Sequence, residues 1–340
     1  MTHHAATSEK EAKLGPLFLG IDVGGTNVKL GLVDDDGTVR CRATTPTPDL
    51  KTPRRIFDYA MEFAWQELKC LSRSTADLAG VGLAVPGVLD TRAYVLREVV
   101  NLPGWHGEPL MEILSNAAKL PAAVVNDANS AAYAEHSLRR LGDRSLALVT
   151  LGTGIGCGLV IGGKPYGGDH GCAGELGHIA IRFGDDALPC TCGSRGHLET
   201  YAGAGGLIRR LRLTMQENPT ATFPDVLQSS DVTPLMIAEH AEQGSTFCQQ
   251  LIDETAQYVG QAIGMIGQVI DPEVVLLGGA MTFGGSASPI GRRFLEHVRE
   301  SVRATTLVQV GTKMQIDFAT LGNDAGVLGA AMIAKQVCQP

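Results

Sequence analysis

Two stretches of this chain share one design, and that repetition restricts the fold more than any other feature. Leu17 to Asp22 is a short apolar run that enters the turn Val23-Gly24-Gly25-Thr26-Asn27; Val28 to Val33 then resumes strand character, and Asp35-Asp36-Gly37 turns a hairpin. Leu146 to Leu151 leads in the same way into Gly152-Thr153-Gly154, then Ile155 to Ile161, then the turn Gly162-Gly163-Lys164. In such a hairpin Gly24 and Gly25 let backbone N–H groups approach phosphate oxygens, and Thr26 adds a hydroxyl. The spacings of a Walker loop and of a dinucleotide fingerprint are both absent. Either turn alone reads equally as a plain hairpin; together they make the chain look duplicated, with a phosphate hairpin opening each half and a nucleotide held between them.

Between the hairpins, Val81 to Val85 reads as a buried strand ending in the turn Pro86-Gly87, and Pro121 to Val125 as another ending in Asn126-Asp127. Ala128 to Glu135 then reads as a helix. Asp127 therefore stands at the carboxyl end of a strand beside a helix start, the crevice where open α/β sheets hold ligands; the alternative is that it only caps the helix. Farther on, Gln261 to Ile270 ends a long helix, Asp271-Pro272 breaks it, and Glu273 to Leu277 is a strand ending in Gly278-Gly279, a turn that could admit a flat adenosine or be purely structural. Gln216 to Thr233, with its Pro and Ser content, reads as a loop joining helices.

The densest chemistry lies in 26 residues, Gly174 to Glu199, which hold two Cys, two His and two Glu. His178, Cys190, Cys192 and His197 suit one tetrahedral zinc. Four protein ligands leave no position for water, so such a metal is structural and staples a loop. Glu175 and Glu199 stand within three residues of ligands, so the clamp would fix both carboxylates against whatever lies beside the loop.

Composition narrows the partners. A formal charge of −8 argues against a nucleic-acid or anionic-membrane surface and leaves small neutral or phosphorylated metabolites. There is no apolar run of 18 residues, and residues 1–16, read as a flexible tail, lack the order of a secretory signal. The eight cysteines are mostly isolated, which suits a reducing compartment, so a cytoplasmic protein is expected.

From Leu17 through Ala334 the chain resembles the ROK family of sugar kinases, most closely its bacterial glucokinases. The matching segments are Asp22 to Asn27, Pro86-Gly87, Asn101 to Trp105, Asn126 to Asn129, Gly152 to Gly156, Gly174 to His178 and Cys190 to Glu199. The resemblance implies an α/β, two-domain actin-like (ribonuclease-H-like) ATPase fold with a cleft between the domains. The small domain is 17–126, completed by a C-terminal helix within 322–340; the large domain is 127–321. It implies Asp127 as general base, with Gly87, Asn101, Asn126, Glu175, His178 and Glu199 on the sugar, and His178 using one ring nitrogen for zinc and the other for sugar. Asp22, Gly24, Gly25, Thr26, Asn27, Gly152, Thr153 and Gly154 would serve ATP and Mg²⁺, with Gly278 and Gly279 near the nucleoside. Where the family usually has a third Cys in its zinc set, this chain has His197.

On this resemblance the partners are a hexose and ATP, no nucleic acid and no membrane, in a homodimer or homotetramer. Glucose is the default sugar; N-acetylmannosamine, N-acetylglucosamine and fructose share nearly the same hydroxyl-reading residues, and discrimination is expected in the loops 88–101 and 164–173. Polyphosphate or ADP are alternative donors. A repressor would carry a helix-turn-helix ahead of the first hairpin, and a silent sugar sensor would have lost the base or a phosphate glycine, whereas Asp127, Gly24, Gly25, Gly152 and Gly154 are all present.

Overall fold

The computed structural model describes residues 15–99, 102–218 and 223–338. Of the expected tail only Gly15 and Pro16 lie inside these limits, and Asn101 lies outside them. The first half contributes β1 (Leu17–Val23), β2 (Asn27–Asp34), β3 (Val39–Pro46), β4 (Leu78–Val85), the short β5 (Val88–Asp90) and β6 (Val95–Glu98), and β7 (Ala122–Asn126). The second contributes β8 (Leu146–Leu151), β9 (Ile155–Ile161), β10 (Lys164–Pro165), β11 (Val274–Gly278) and β12 (Gln315–Phe318).

These strands make two sheets of the same topology. The first runs β3-β2-β1-β4-β7 and the second β10-β9-β8-β11-β12. In each, an antiparallel hairpin (β1 with β2, β8 with β9) is followed by two strands added in parallel. The duplication that the two glycine turns suggest is thus a duplication of whole sheets. Residue patterns explain the positions: β1 is almost entirely buried, as befits a central strand covered on both faces, while β3 alternates half-buried and exposed residues, as an edge strand does.

Helices Pro53–Cys70 and Leu110–Ala118 cover one face of the first sheet through Ile56, Phe57, Leu110 and Leu114, with Phe57 edge-on to the buried Trp105. The long helix Thr246–Ile270 and Pro289–Thr305 cover one face of the second. The opposite faces meet in the middle of the molecule across two further helices: Ala325–Cys338 lies on the first sheet, Asp127–Leu138 lies on the second, and the two pack on each other. This layer is too thin for side chains at its crossings. A Cβ at Gly82 would lie 1.8 Å from the Ala330 carbonyl oxygen, one at Gly158 would lie 1.9 Å from that of Ala128, and one at Gly329 would lie 1.8 Å from that of Ser130. Strand glycines here mark close backbone approach.

Gly158→Ala is accordingly expected to cost roughly 1–3 kcal/mol, as overpacking does, because the displaced element is the helix that begins at Asp127. Thermal melting beside Gly205→Ala, whose added methyl meets nothing within 4 Å, checks this; equal midpoints would contradict the packing. The helix expected over 128–135 is observed as Asp127–Leu138, one residue earlier because Asn126 supplies the cap. The segment 216–233 is not a simple loop: helix Ala204–Glu217 runs into it, and Asp225–Gln228 forms a further helical turn. Among the described residues no helix is long and apolar enough to cross a membrane.

Candidate active site

Parallel registration brings the carboxyl ends of the central strands to one edge. Asp22 pairs with Ala84, Val85 with Asn126, and Gly278 with Thr150. Asp22, the turn Pro86-Gly87 and the pair Asn126-Asp127 therefore open on the same side of the first sheet. The second hairpin and Gly278-Gly279 do so on the second sheet; Gly279, at φ +91°, stands where a Cβ would lie 2.2 Å from the Leu151 carbonyl oxygen.

The cap of the central helix is Asn126, not Asp127. Its Oδ1 accepts the Asn129 N–H at 3.1 Å and its Nδ2 donates to the Gly87 carbonyl at 3.1 Å. Asn126 thus ties the helix start to the Pro86-Gly87 turn, where Gly87 is required: φ is +88° and a Cβ would lie 2.2 Å from the Glu98 carbonyl oxygen. Asp127 is left free for other work, with one oxygen accepting the Ala128 N–H at 2.8 Å. Burial pushes its carboxyl up to about 6; the Ala128 N–H opposes that rise, and the carboxylates of Asp22 and Glu175 add to it.

Asp22 is itself pushed above its ordinary range by burial, against the pull of Lys29. Sequence reasoning passed over Lys29, yet the hairpin register sets it directly opposite Asp22, an oppositely charged cross-strand pair. Counting back from a four-residue turn would have found it. Gly326, at the start of the last helix, was also passed over; a Cβ there would lie 2.5 Å from the Asp22 carboxylate. Such mutually raised carboxylates in a cleft suit a divalent cation with oxygen ligands.

Both glycine turns are braced from outside. In the first, Gly24 N–H donates to the Asn27 carbonyl at 2.9 Å, and Thr47 Oγ1 donates to the Gly24 carbonyl at 2.6 Å; Thr26 and Asn27 are exposed at the tip. In the second, Gly152 N–H donates to the Gly154 carbonyl and the Ala204 N–H donates to the Gly152 carbonyl, both at 3.0 Å, with Thr153 exposed. Glu199 reaches this turn too: its Oε2 accepts the Ile155 N–H at 3.0 Å.

The four candidate metal ligands converge, their ligand atoms lying within 4.8 Å of one another. His178 Nδ1 is 3.4 Å from His197 Nδ1, Cys192 Sγ is 3.3 Å from His197 Nδ1, and Cys190 Sγ is 3.8 Å from His178 Nδ1. Zinc bonds of about 2.3 Å to sulfur and about 2.0–2.1 Å to nitrogen, set tetrahedrally, separate two nitrogens by about 3.3 Å and a nitrogen from a sulfur by about 3.6 Å. The cluster has those dimensions, and it fits zinc with His197 in the place of a thiolate. The Ser194 N–H holds the Cys192 thiol below its ordinary range. With Nδ1 of His178 turned to the cluster, Nε2 is left for another partner. Two short antiparallel bridges, Ala180 with His197 and Pro189 with Arg195, shape the loop.

The loops 88–99 and 164–173 touch each other. Arg92 pairs with Asp169 at 2.8 Å, and a Cβ at Gly171 would lie 2.2 Å from the Leu89 carbonyl oxygen. Between them lies a cavity of about 190 Å³ lined by Thr91, Tyr94, Asn126 and Gly167 among others.

A carboxylate of this kind, adjoining two glycine turns and a ring of polar side chains, can take a proton from a hydroxyl held against it. Comparison with known proteins agrees with the geometry. The chain is 32% identical over 322 residues to a glucokinase of Halalkalibacterium halodurans, covering 94% of this chain and 95% of that one. It is 30% identical over 318 residues to an N-acetylmannosamine kinase of Salmonella heidelberg, covering 93% and 98%. A ROK family glucokinase from Streptomyces griseus, solved in complex with glucose and AMPPNP, superposes with a TM-score of 0.71 at 30% identity, covering 94% and 99%. The duplicated sheets are those of the actin-like ATPase fold. The model of the ROK family matches residues 18–337, and the chain belongs to that family.

Proposed function

We propose that the protein transfers a phosphoryl group from ATP to a hexose, glucose to glucose 6-phosphate first, with Asp127 as general base. The observation that carries this reading is the buried Asp127 carboxyl, raised to about 6 and free of capping duty, at the edge where both glycine turns open. In the reaction the sugar O–H proton passes to a carboxylate oxygen of Asp127 as the sugar oxygen bonds to phosphorus and the bond to the leaving ADP breaks. Phosphoryl transfer depends otherwise on alignment and neutralised charge. Gly24, Gly25, Thr26 and Asn27, with Gly152, Thr153 and Gly154, serve the phosphates, and Gly278-Gly279 serves the nucleoside. Asp22 is the group on this chain placed to hold Mg²⁺, which supplies charge neutralisation when bound.

Glu175, His178 and Glu199 read the sugar hydroxyls, together with Gly87, Asn101 and the amide of Asn126. Zinc, held by His178, Cys190, Cys192 and His197, fixes the loop that presents three of them. The chain works as two domains, 17–126 with the C-terminal helix and 127–321, that close on sugar; the protein is a cytoplasmic homodimer or homotetramer. The similarity to an N-acetylmannosamine kinase favours a second reading in which the sugar is an N-acetylhexosamine, the cavity between the two touching loops taking its substituent. A coupled ADP-release assay with Mg²⁺-ATP over hexoses and N-acetylhexosamines tests both. Turnover highest on glucose supports the first, turnover highest on N-acetylmannosamine the second, and sugar binding without turnover with ATP, ADP or polyphosphate contradicts the kinase reading.

A further inference from the structure

The sugar-reading loop and the second glycine hairpin are joined by one side chain. Glu199 opens the turn Glu199–Ala202, two residues after His197, and Oε2 accepts the Ile155 N–H at 3.0 Å, just past the hairpin tip. Gly154 and Gly177 close on the same oxygen: a Cβ at Gly154 would lie 2.5 Å from it and one at Gly177 would lie 3.4 Å from it. The backbone behind Glu199 is tied to the same hairpin, since its own carbonyl accepts the Gly203 N–H and the Ala204 N–H reaches the Gly152 carbonyl, both at 3.0 Å. Only one carboxylate oxygen is spent in this way; Oε1 remains for a second acceptor role.

We propose that Glu199 is a positioning residue for the nucleotide as well as a sugar reader: it holds the β8–β9 turn in its phosphate-binding shape and so couples the sugar site to the nucleotide site. The inference rests on the kinase reading above. A carboxylate shared between a backbone donor in one site and a hydroxyl in another transmits either ligand's arrival to the other, and by linkage the coupling factor is the same in both directions. Removing the acceptor leaves the Ile155 N–H without its partner and frees the turn.

The experiment is calorimetric titration of Mg²⁺–AMPPNP into the metal-loaded protein with no sugar present, for wild type, Glu199→Ala and Glu199→Gln, each checked for zinc content and circular dichroism. Glu199→Ala is expected to weaken nucleotide binding about five- to thirtyfold, the range for one buried donor left unpaired. Glu199→Gln keeps an amide oxygen for Ile155 and is expected to stay within about threefold of wild type, although both variants lose affinity for the sugar that turns over. Wild-type nucleotide affinity in metal-loaded Glu199→Ala would overturn the proposal. Should Glu199→Ala lose its metal, Gly154→Ala gives the result from the other side: its methyl displaces the carboxylate, so sugar affinity measured without nucleotide must fall, and an unchanged value would overturn the coupling. Wild-type protein that binds no Mg²⁺–AMPPNP would instead remove the kinase reading itself.

Discussion

Asp127→Asn is expected to lower turnover by about 10²–10⁴-fold, the usual worth of a positioned general base, and at the same time to make the protein more stable above neutral pH. The first effect follows from removing the proton acceptor while keeping its size and its contact with the Ala128 N–H. The second follows from the direction of the shift: the carboxyl rises from its ordinary 3.8 to about 6 on folding, chiefly through burial. The folded protein therefore holds this proton more tightly than the unfolded chain does. Stability contributed by the group is greatest at low pH, falls as pH climbs from about 4 to about 6, and stays reduced above that. Asparagine carries no charge to bury, so the variant gains on the order of 1–2 kcal/mol at pH 8 after discounting for partial exposure, and the gain shrinks toward pH 4. Melting curves at pH 8 and pH 4.5 separate the two. In wild type, kcat/KM should fall about tenfold per pH unit below about 6; an acid limb centred near 4 would mean that the base lies elsewhere.

Cys192→Ala is expected to abolish stoichiometric zinc and to weaken sugar binding by more than the 10- to 100-fold that loss of mere outer-shell partners costs a metal site. The argument is geometric: Cys192 Sγ and His197 Nδ1 stand 3.3 Å apart with no strand or helix forcing them together, so the loop relies on the metal for its shape. His178 and the neighbouring Glu199 lose their setting with it. His197→Cys, by contrast, retains the metal, because zinc accepts sulfur or nitrogen at that position. Metal analysis of the purified variants and sugar titrations decide the matter; a metal-free protein with wild-type sugar affinity would refute it.

What the sequence discloses is local. Gly24-Gly25 and Gly152-Thr153-Gly154 announce their hairpins because a tight turn needs particular residues within a few positions, and Asp127 is visible because an apolar run stops at it. The four metal ligands are visible because sulfur and imidazole are scarce elsewhere. Register and crossings are not local, and there the reading thins out. Lys29 faces Asp22 only once the hairpin is in register, and the bond from Glu199 to the Ile155 N–H joins segments 44 residues apart. Gly82, Gly158 and Gly329 read as weak spots in otherwise regular elements until the central helices are laid across them. Asparagine at 126 was read as a sugar contact; that it also caps the helix and frees Asp127 follows from its two hydrogen bonds.

The placement of helix Ala325–Cys338 bears on how the chain reaches this structure as it is made. One face of the first sheet, including β1 at its centre, is covered by an element about 300 residues away, through Gly20 against Val327, Gly82 against Ala330 and Lys335 against Asp35. While a ribosome is still adding the second half, the oldest strands stand with that face bare, whereas β8 to β12 already have the Asp127–Leu138 helix laid down before them. The order of synthesis and the order of completion are therefore opposed: the half that is translated first is finished last, and it is the half that a chaperone would have to shield.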